Sequence, residues 1–427
     1  MIPTVLGPRE ASSVPGYCSP HERLIHKSSP SDLQAILDTP ITLANLAEAR
    51  HGSDTGRFAV SNKLYSLDES VQELGALVDA GGGLVLACGA VGDGRDPSGL
   101  AEIARRSKIG VVMAASWQWE ERGSKEQPSP ETVGRELEGQ LLFGEHAAKD
   151  VASAASATAS SRIQAGFIVV NLPDSSTSSG MPRASADLPS DILKALEGAA
   201  WAQRATAAPL VIVCSHFVRW RHIESALAIA TAHWASEPTS RLNSKVIVAG
   251  MHGGISQSLQ DQVAILERGA VLCFDCFGRV EWLSGPEYYP SDEESSVRIA
   301  ELVRQGFADQ VVISQWVSRR IHLSRCGGYG YGHALRTVPP RLKRLGVSED
   351  DVSLITRGNI LRLMDWYTPP PPLEAPKEYL PCSWCKKRFE PIEGEYFHKF
   401  QFVYCGVKCL RKHRDTGFDA GRVGAGE

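Results

Sequence analysis

Short runs that are apolar on both faces recur along the chain, separated by longer stretches in which apolar and polar residues alternate at helical spacing. The runs are "GGLVLACG" near residue 85, "GVVMAA" near 112, "GFIVVN" near 168, "PLVIVC" near 211, "KVIVAG" near 247, "AVLCFD" near 272 and "VVISQ" near 312. A strand with one wet face would alternate, so runs this uniform predict parallel strands buried on both sides. Between them, Asp68 to Gly82 and Asp96 to Gly110 read as helices with acidic starts and glycine-rich stops. An eighth strand is expected near the start, at Thr4 to Leu6 or at Gly16 to Cys18.

Strand–helix repetition over this length predicts an α/β fold, a TIM (β/α)8 barrel over residues 1–366. A doubly wound sheet would call for a glycine-rich phosphate loop after its first strand. "GAVGDGRDP" follows "GGLVLACG", the second strand once the one expected near the start is counted, and lacks that spacing. Two stretches, His146 to Ile163 and Leu172 to Ser190, are rich in small and loop-forming residues and are not assigned to the barrel repeat. Four consecutive prolines in Tyr367 to Pro381 mark a stiff spacer, and residues 382–427 form a separate small domain.

Chemistry concentrates in that last segment. Cys382 and Cys385 form a C-x2-C pair, and Cys405 and Cys409 follow as C-x3-C. Four soft thiolates at this spacing suit a structural Zn2+ site, with His413 the one alternative ligand nearby. A segment this small has little core, so the metal supplies much of its folding energy. The spacing, with the second pair opening a short helix, resembles a treble-clef or MYND-like finger. Lys386, Lys387, Lys399, Lys408, Arg411, Lys412 and Arg414 interleave with Phe389, Tyr396, Phe397, Phe400 and Tyr404. This reads as an aromatic core under a solvated cationic face that docks a protein; nucleic-acid binding, if any, falls to this finger.

Net charge narrows the classes further. At −4 overall, with 43% apolar residues, the chain has neither the basic excess of a bulk nucleic-acid binder nor a run of about 18 apolar residues for a membrane span. Its N-terminus lacks the basic-then-apolar pattern of a secretory signal. Ten cysteines, four of them in the finger, suit a reducing, intracellular setting, with the cytoplasm expected.

At the expected barrel mouth stand His21, Glu22 and Arg23 of "SPHERLI", Val169 or Val170, Cys214 to His216, His252, Asp275 and Trp316. Asp275 is read as an anchor for its loop, not as a general base. Cys273 with Cys276, and Cys18 with His21, are weak pairs for metal or nucleophile chemistry. The glycines Gly327, Gly328, Gly330 and Gly332 provide either an anion-binding turn or simple conformational freedom, and the latter is preferred.

"TVLGP" with "PHERL", "GRDP", "RGAVLCFDCFG", "ELVRQGFADQVVISQ", "RCGGYGYGHALRTVPPRLKRLGV" and "RGNILRLM" occur in order. Together they resemble the phosphotriesterase-related family of the amidohydrolase superfamily. The resemblance implies a metal-dependent hydrolase with a binuclear centre. Carried over, its His-x-His pair becomes His21 and Arg23, its bridging residue falls near Val170, and its fifth- and sixth-strand histidines fall at His216 and His252. Its eighth-strand aspartate becomes Trp316. A guanidinium, an isopropyl group and an indole cannot ligate a metal. The expectation is therefore a pseudoenzyme whose emptied mouth is filled by Trp316 packed on neighbours such as Val170, with Arg23 paired to an acid or lying on the indole. The alternative is a zinc-dependent ester or amide hydrolase built on His21, His216 and His252 around an atypical centre.

Overall fold

The computed structural model describes residues 1–51, 57–90, 94–117, 128–146, 162–173, 187–214, 218, 220–232, 245–250, 258–279, 289–368, 380–391 and 396–418. The chain divides into two compact units, Met1–Thr368 and Pro369–Glu427.

In the first unit eight parallel strands pair in chain order: β1 (Tyr17–Glu22), β2 (Gly82–Ala87), β3 (Gly110–Ala115), β4 (Ala165–Asn171), β5 (Leu210–Val213), β6 (Val246–Ala249), β7 (Val271–Phe274) and β8 (Val311–Ile313). A helix follows each strand: α1 (Leu67–Asp79), α2 (Pro97–Ser107), α3 (Pro130–Leu142), α4 (Ser190–Thr206), α5 (Trp220–Thr231), α6 (Leu259–Glu267), α7 (Asp292–Arg304) and α8 (His333–Arg344). Caps fix where several of them start. Ser66 accepts from Glu69 N at the head of α1, Asp96 accepts from Gly99 N at α2, and Ser291 with Glu294 closes a capping box at α7.

The two-faced apolar runs have a simple use. Leu84, Leu86, Val112, Ala114, Phe167, Val169, Val211 and Ile247 point into the barrel, where Ile360, Leu363 and Met364 of the helix Asn359–Met364 pack with them. Their neighbours Val85, Val111, Met113, Ile168, Val170 and Ile212 face the helix layer. Each of these Val, Leu, Ile, Phe and Met side chains, buried, stabilises by about 1.5–3 kcal/mol before entropy is counted, and Ala114 by less.

The eighth strand is therefore Tyr17–Glu22, the second of the two expected places. The first is overturned: Ile2–Thr4 pairs antiparallel with Gly7–Arg9 as a hairpin outside the barrel ladder. Among the described residues β1 and β8 share no ladder, so the barrel is nearly closed. Side chains span the seam. Tyr17 Oη donates to Ile313 O at 2.9 Å, His21 N donates to Ser314 Oγ at 3.0 Å, and above the strands Arg23 N donates to Val317 O at 3.0 Å. Glu22 holds the same seam. It is fully buried and accepts from Gln315 N at 2.8 Å, Val317 N at 2.6 Å and Ser19 Oγ at 2.7 Å.

The second unit is described over residues 380–391 and 396–418. It contains two short antiparallel pairs, Leu380–Pro381 with Arg388–Phe389 and Phe397–Lys399 with Phe402–Tyr404, followed by α9 (Val407–Asp415). The stretches His146–Ile163 and Leu172–Ser190 and the proline-rich spacer lie largely outside the described residues.

Candidate functional site

The mouth of the barrel is built on three strand ends. β1 delivers His21, the residue after β7 is Asp275, and three residues past β8 stands Trp316. His21 Nδ1–H donates to Asp275 Oδ2 at 2.5 Å, although 254 positions separate them in the chain. The same carboxylate oxygen accepts from Gly250 N at 2.8 Å, and both side chains are cut off from solvent. Asp275 is thus committed to orienting an imidazole. It lies one residue beyond β7, not inside the strand as its sequence suggests.

Trp316 packs beside this pair. Its ring stacks on His21 with centroids 5.7 Å apart and an interplanar angle of 14°. Its backbone is left-handed, with φ +48°, a conformation that costs a side-chain-bearing residue about 1–3 kcal/mol. The guanidinium of Arg279 lies 4.9 Å from the indole centroid and donates to the Trp316 carbonyl. Arg279 also contacts His322, whose Nδ1 accepts from Ser318 N at 3.1 Å and Arg319 N at 3.2 Å. An Arg–indole contact contributes about 0.5–2 kcal/mol depending on its desolvation.

Several sequence expectations change here. The ring against Trp316 is His21, and the cation over it is Arg279, which the sequence reading did not single out. Arg23 sits 3.1 Å from His26 Nε2 and accepts at its carbonyl from Tyr331 Oη at 2.6 Å. Val170 faces the helices, so it cannot line the mouth; beyond Phe167 the interior positions of β4 are Val169 and, at its open end, the exposed Asn171. His216 and His252 lie outside the described residues. Cys18 is an interior apolar residue whose thiol burial pushes up to about 12, and His21 is already engaged by Asp275. Cys273 is likewise interior, while the Cys276 thiol lies 3.8 Å from Asp275 Oδ1.

The glycine run after β8 has a steric cause. Gly327 and Gly330 hold φ +81° and +66°, and a Cβ on Gly328 would come within 2.2 Å of the His322 backbone. Their N–H groups are spent inside the loop: Gly327 N donates to Ser324 O, Gly328 N to Leu323 O and Gly330 N to His322 O. An anion-binding turn is therefore ruled out at these three positions.

In the second unit the ligand atoms of Cys382, Cys385, Cys405 and Cys409 all lie within 4.8 Å of one another, and they form the sole metal-competent cluster among the described residues. Cys385 to Cys405 and Cys405 to Cys409 each measure 3.7 Å between sulfurs. A disulfide would need about 2.05 Å. Zn–S bonds of about 2.3 Å arranged tetrahedrally set sulfur–sulfur edges of about 3.8 Å, so the four thiols fit Zn2+. Burial opposes ionisation of Cys382, but backbone N–H groups of Cys385, Cys405 and Trp384 outweigh it and bring this thiol down to about 7. His413 is not a fifth candidate. It is buried, its Nδ1 bonds Tyr404 Oη at 2.8 Å, and Phe402, Trp384 and Phe418 surround its ring. Tyr404 is buried and Phe389, Tyr396 and Phe397 are half-buried, but Phe400 is 71% exposed, so the expected aromatic core excludes it; Lys386, Lys387, Lys399, Lys408, Arg411, Lys412 and Arg414 are exposed.

Comparison with known proteins agrees with both halves. Residues 377–421 match the model of the Vms1-associating treble clef domain. An N-acetyltaurine hydrolase of Dictyostelium discoideum is 26% identical over 310 residues, 71% of this chain and 74% of that protein. The phosphotriesterase homology protein of Escherichia coli is 32% identical over 108 residues, which span 25% of this chain and 35% of that protein. Among solved structures, a resiniferatoxin-binding protein from Rhodobacter sphaeroides superposes with TM-score 0.64 at 24% identity, covering 85% of this chain and 94% of that one. The E. coli phosphotriesterase homology protein, solved with phosphate in its active site, gives 0.57 at 20% identity, covering 82% and 99%. Residues 4–364 match the model of the phosphotriesterase family, and with nearly the whole barrel inside that match the chain belongs to this family.

Proposed function

We propose that this barrel is a catalytically degenerate metal-dependent hydrolase scaffold that works as a structural or protein-interaction module, with its metal confined to the C-terminal finger. The supporting observation is the mouth itself. Trp316, which the family resemblance sets at the eighth-strand aspartate, lays its indole flat on His21. The resemblance sets the second histidine of the first-strand pair at Arg23, whose guanidinium is no metal ligand. The barrel residues described do not fit a binuclear centre, and no catalytic step is derived through one. The name of the matched treble-clef model, Vms1-associating, supports a protein as the finger's partner.

One observation favours the opposite reading. His21 gives Nδ1–H to a buried carboxylate, which is how a metal-bound imidazole is commonly held, and Nε2 is left as the nitrogen that would bind. The Dictyostelium relative, named as a hydrolase, points the same way. Metal content separates the two readings. Full-length protein and a version ending before Pro369 are purified without chelator, and zinc per chain is counted by elemental mass spectrometry. One zinc in the first and none in the second is the expected result; metal retained by the truncated barrel would sink the degenerate reading.

A further inference from the structure

At the end of the barrel away from its mouth, the hairpin Ile2–Arg9 and the last turn of α2 enclose a half-open cavity of about 350 Å³. That is within the usual range of small-molecule sites, about 300–1,000 Å³. Its apolar lining includes Leu6, 51% exposed, over Ile109 and Val111, which are buried beneath it. Its polar lining is cationic: Arg9, Arg105 and Lys108, with no carboxylate among the lining residues.

We propose that this cavity binds a small organic phosphate, its apolar body on the Leu6–Ile109 floor and its phosphate between Arg9 and Lys108. Arg9 is held ready for the task. Nε donates to Ser13 Oγ and Nη2 to Ser13 O, each at 3.3 Å. Nη1 then lies over the cavity floor, 3.4 Å from where a Cβ on Gly110 would stand. Lys108 comes from a different element, at the C-cap of α2, and does so with a left-handed backbone (φ +60°) where glycine is the ordinary choice. Arg105 is tied to Glu102 on its own helix, so its charge is largely answered. Neutralising the helix dipole accounts for basic residues at the end of α2. It accounts neither for Arg9, which belongs to the hairpin, nor for the hollow kept between the two elements. The Thr4 hydroxyl is spent on Gly7 O at 2.6 Å, so recognition falls to the cations. A guanidinium and an ammonium lining one hollow suit a multi-oxygen anion such as phosphate better than a neutral polar group.

The test is calorimetric titration of the zinc-loaded full-length protein with phenyl phosphate in low salt, beside Arg9→Gln and Lys108→Gly. Lys108→Gly is a clean probe because glycine accepts the left-handed φ, so the variant melts no lower than the parent. The proposal expects saturable binding that each substitution weakens about tenfold, and inorganic phosphate bound far more weakly for want of the apolar body. No saturable binding by the parent chain would overturn it. So would variants that bind phenyl phosphate as the parent does, since the ligand would then sit elsewhere, and so would inorganic phosphate binding equally well.

Discussion

Asp275 and Trp316 illustrate how single residues decide what this barrel can do. The Asp275 carboxylate accepts from His21 and from Gly250 N in a region closed to solvent. Asp275→Ala leaves an imidazole N–H and a backbone N–H without an acceptor, and is expected to destabilise the barrel by about 2–4 kcal/mol in urea unfolding. Trp316 gives an inverted order of substitutions. Ordinarily glycine is worse than alanine, but at φ +48° the alanine Cβ stays strained while glycine is at ease. Trp316→Gly should therefore unfold at higher denaturant than Trp316→Ala, by about 0.5–1 kcal/mol. The reverse order would mean that the left-handed backbone relaxes once the indole is gone.

At the scale of elements, Asp292 ties the start of α7 to two other segments. It accepts from Gly278 N at 2.6 Å, from His333 Nε2 at 2.7 Å and from Arg341 Nη1 at 3.2 Å. Burial opposes its ionisation, but the bonds to His333 and Gly278 and the charge of Arg341 prevail and hold its carboxyl below the ordinary 3.8. A depressed carboxyl stabilises the fold above its unfolded value, and that contribution is lost as pH falls through the folded one. Thermal melts should accordingly show Asp292→Asn about 1–3 kcal/mol less stable than the parent at neutral pH, with the gap shrinking below about pH 4. A gap independent of pH would show that the charge does not matter.

Elements were also the most legible level in the sequence. The inner strands announced themselves because both faces are apolar, which leaves no other environment for them. β1 did not, because "YCSPHE" buries Ser19 and Glu22 by hydrogen-bonding them to residues near position 314 and His21 by bonding its ring to Asp275, and periodicity carries no trace of such partners. The site was readable only where identity alone was decisive. That Trp316 and Arg23 fall where the family resemblance expects ligands is an expectation drawn from residue identity; the Asp275–His21 bond and the Arg279–Trp316 contact are tertiary and leave no mark on the sequence. Val170 was misplaced because a one-residue step along a strand exchanges interior for helix-facing surface.

Taken as a whole, the molecule joins a unit stabilised by an extensive core to one with little core beyond the rings around His413. No described helix is long and apolar enough to cross a membrane. Zinc removal should thus affect one unit alone. Chelation is expected to release one zinc per chain and to abolish the near-ultraviolet signal of Trp384 and its aromatic neighbours, while the main melting transition stays in place. A shift of that transition by several degrees would mean that the finger contributes to barrel stability.

The unladdered seam between β1 and β8 makes the barrel a split ring. A closed ring has no preferred place to begin opening, whereas this one is already cut and is held across the cut by Tyr17, Glu22 and Ser314. Unravelling should begin there and travel around the ring, so that amides of β1 and β8 exchange with heavy water well before those of β3 to β5. Glu22→Gln, which offers one acceptor oxygen in place of two, should widen that difference. Uniform exchange around all eight strands would show that those few side chains clasp the ring as firmly as a ladder does.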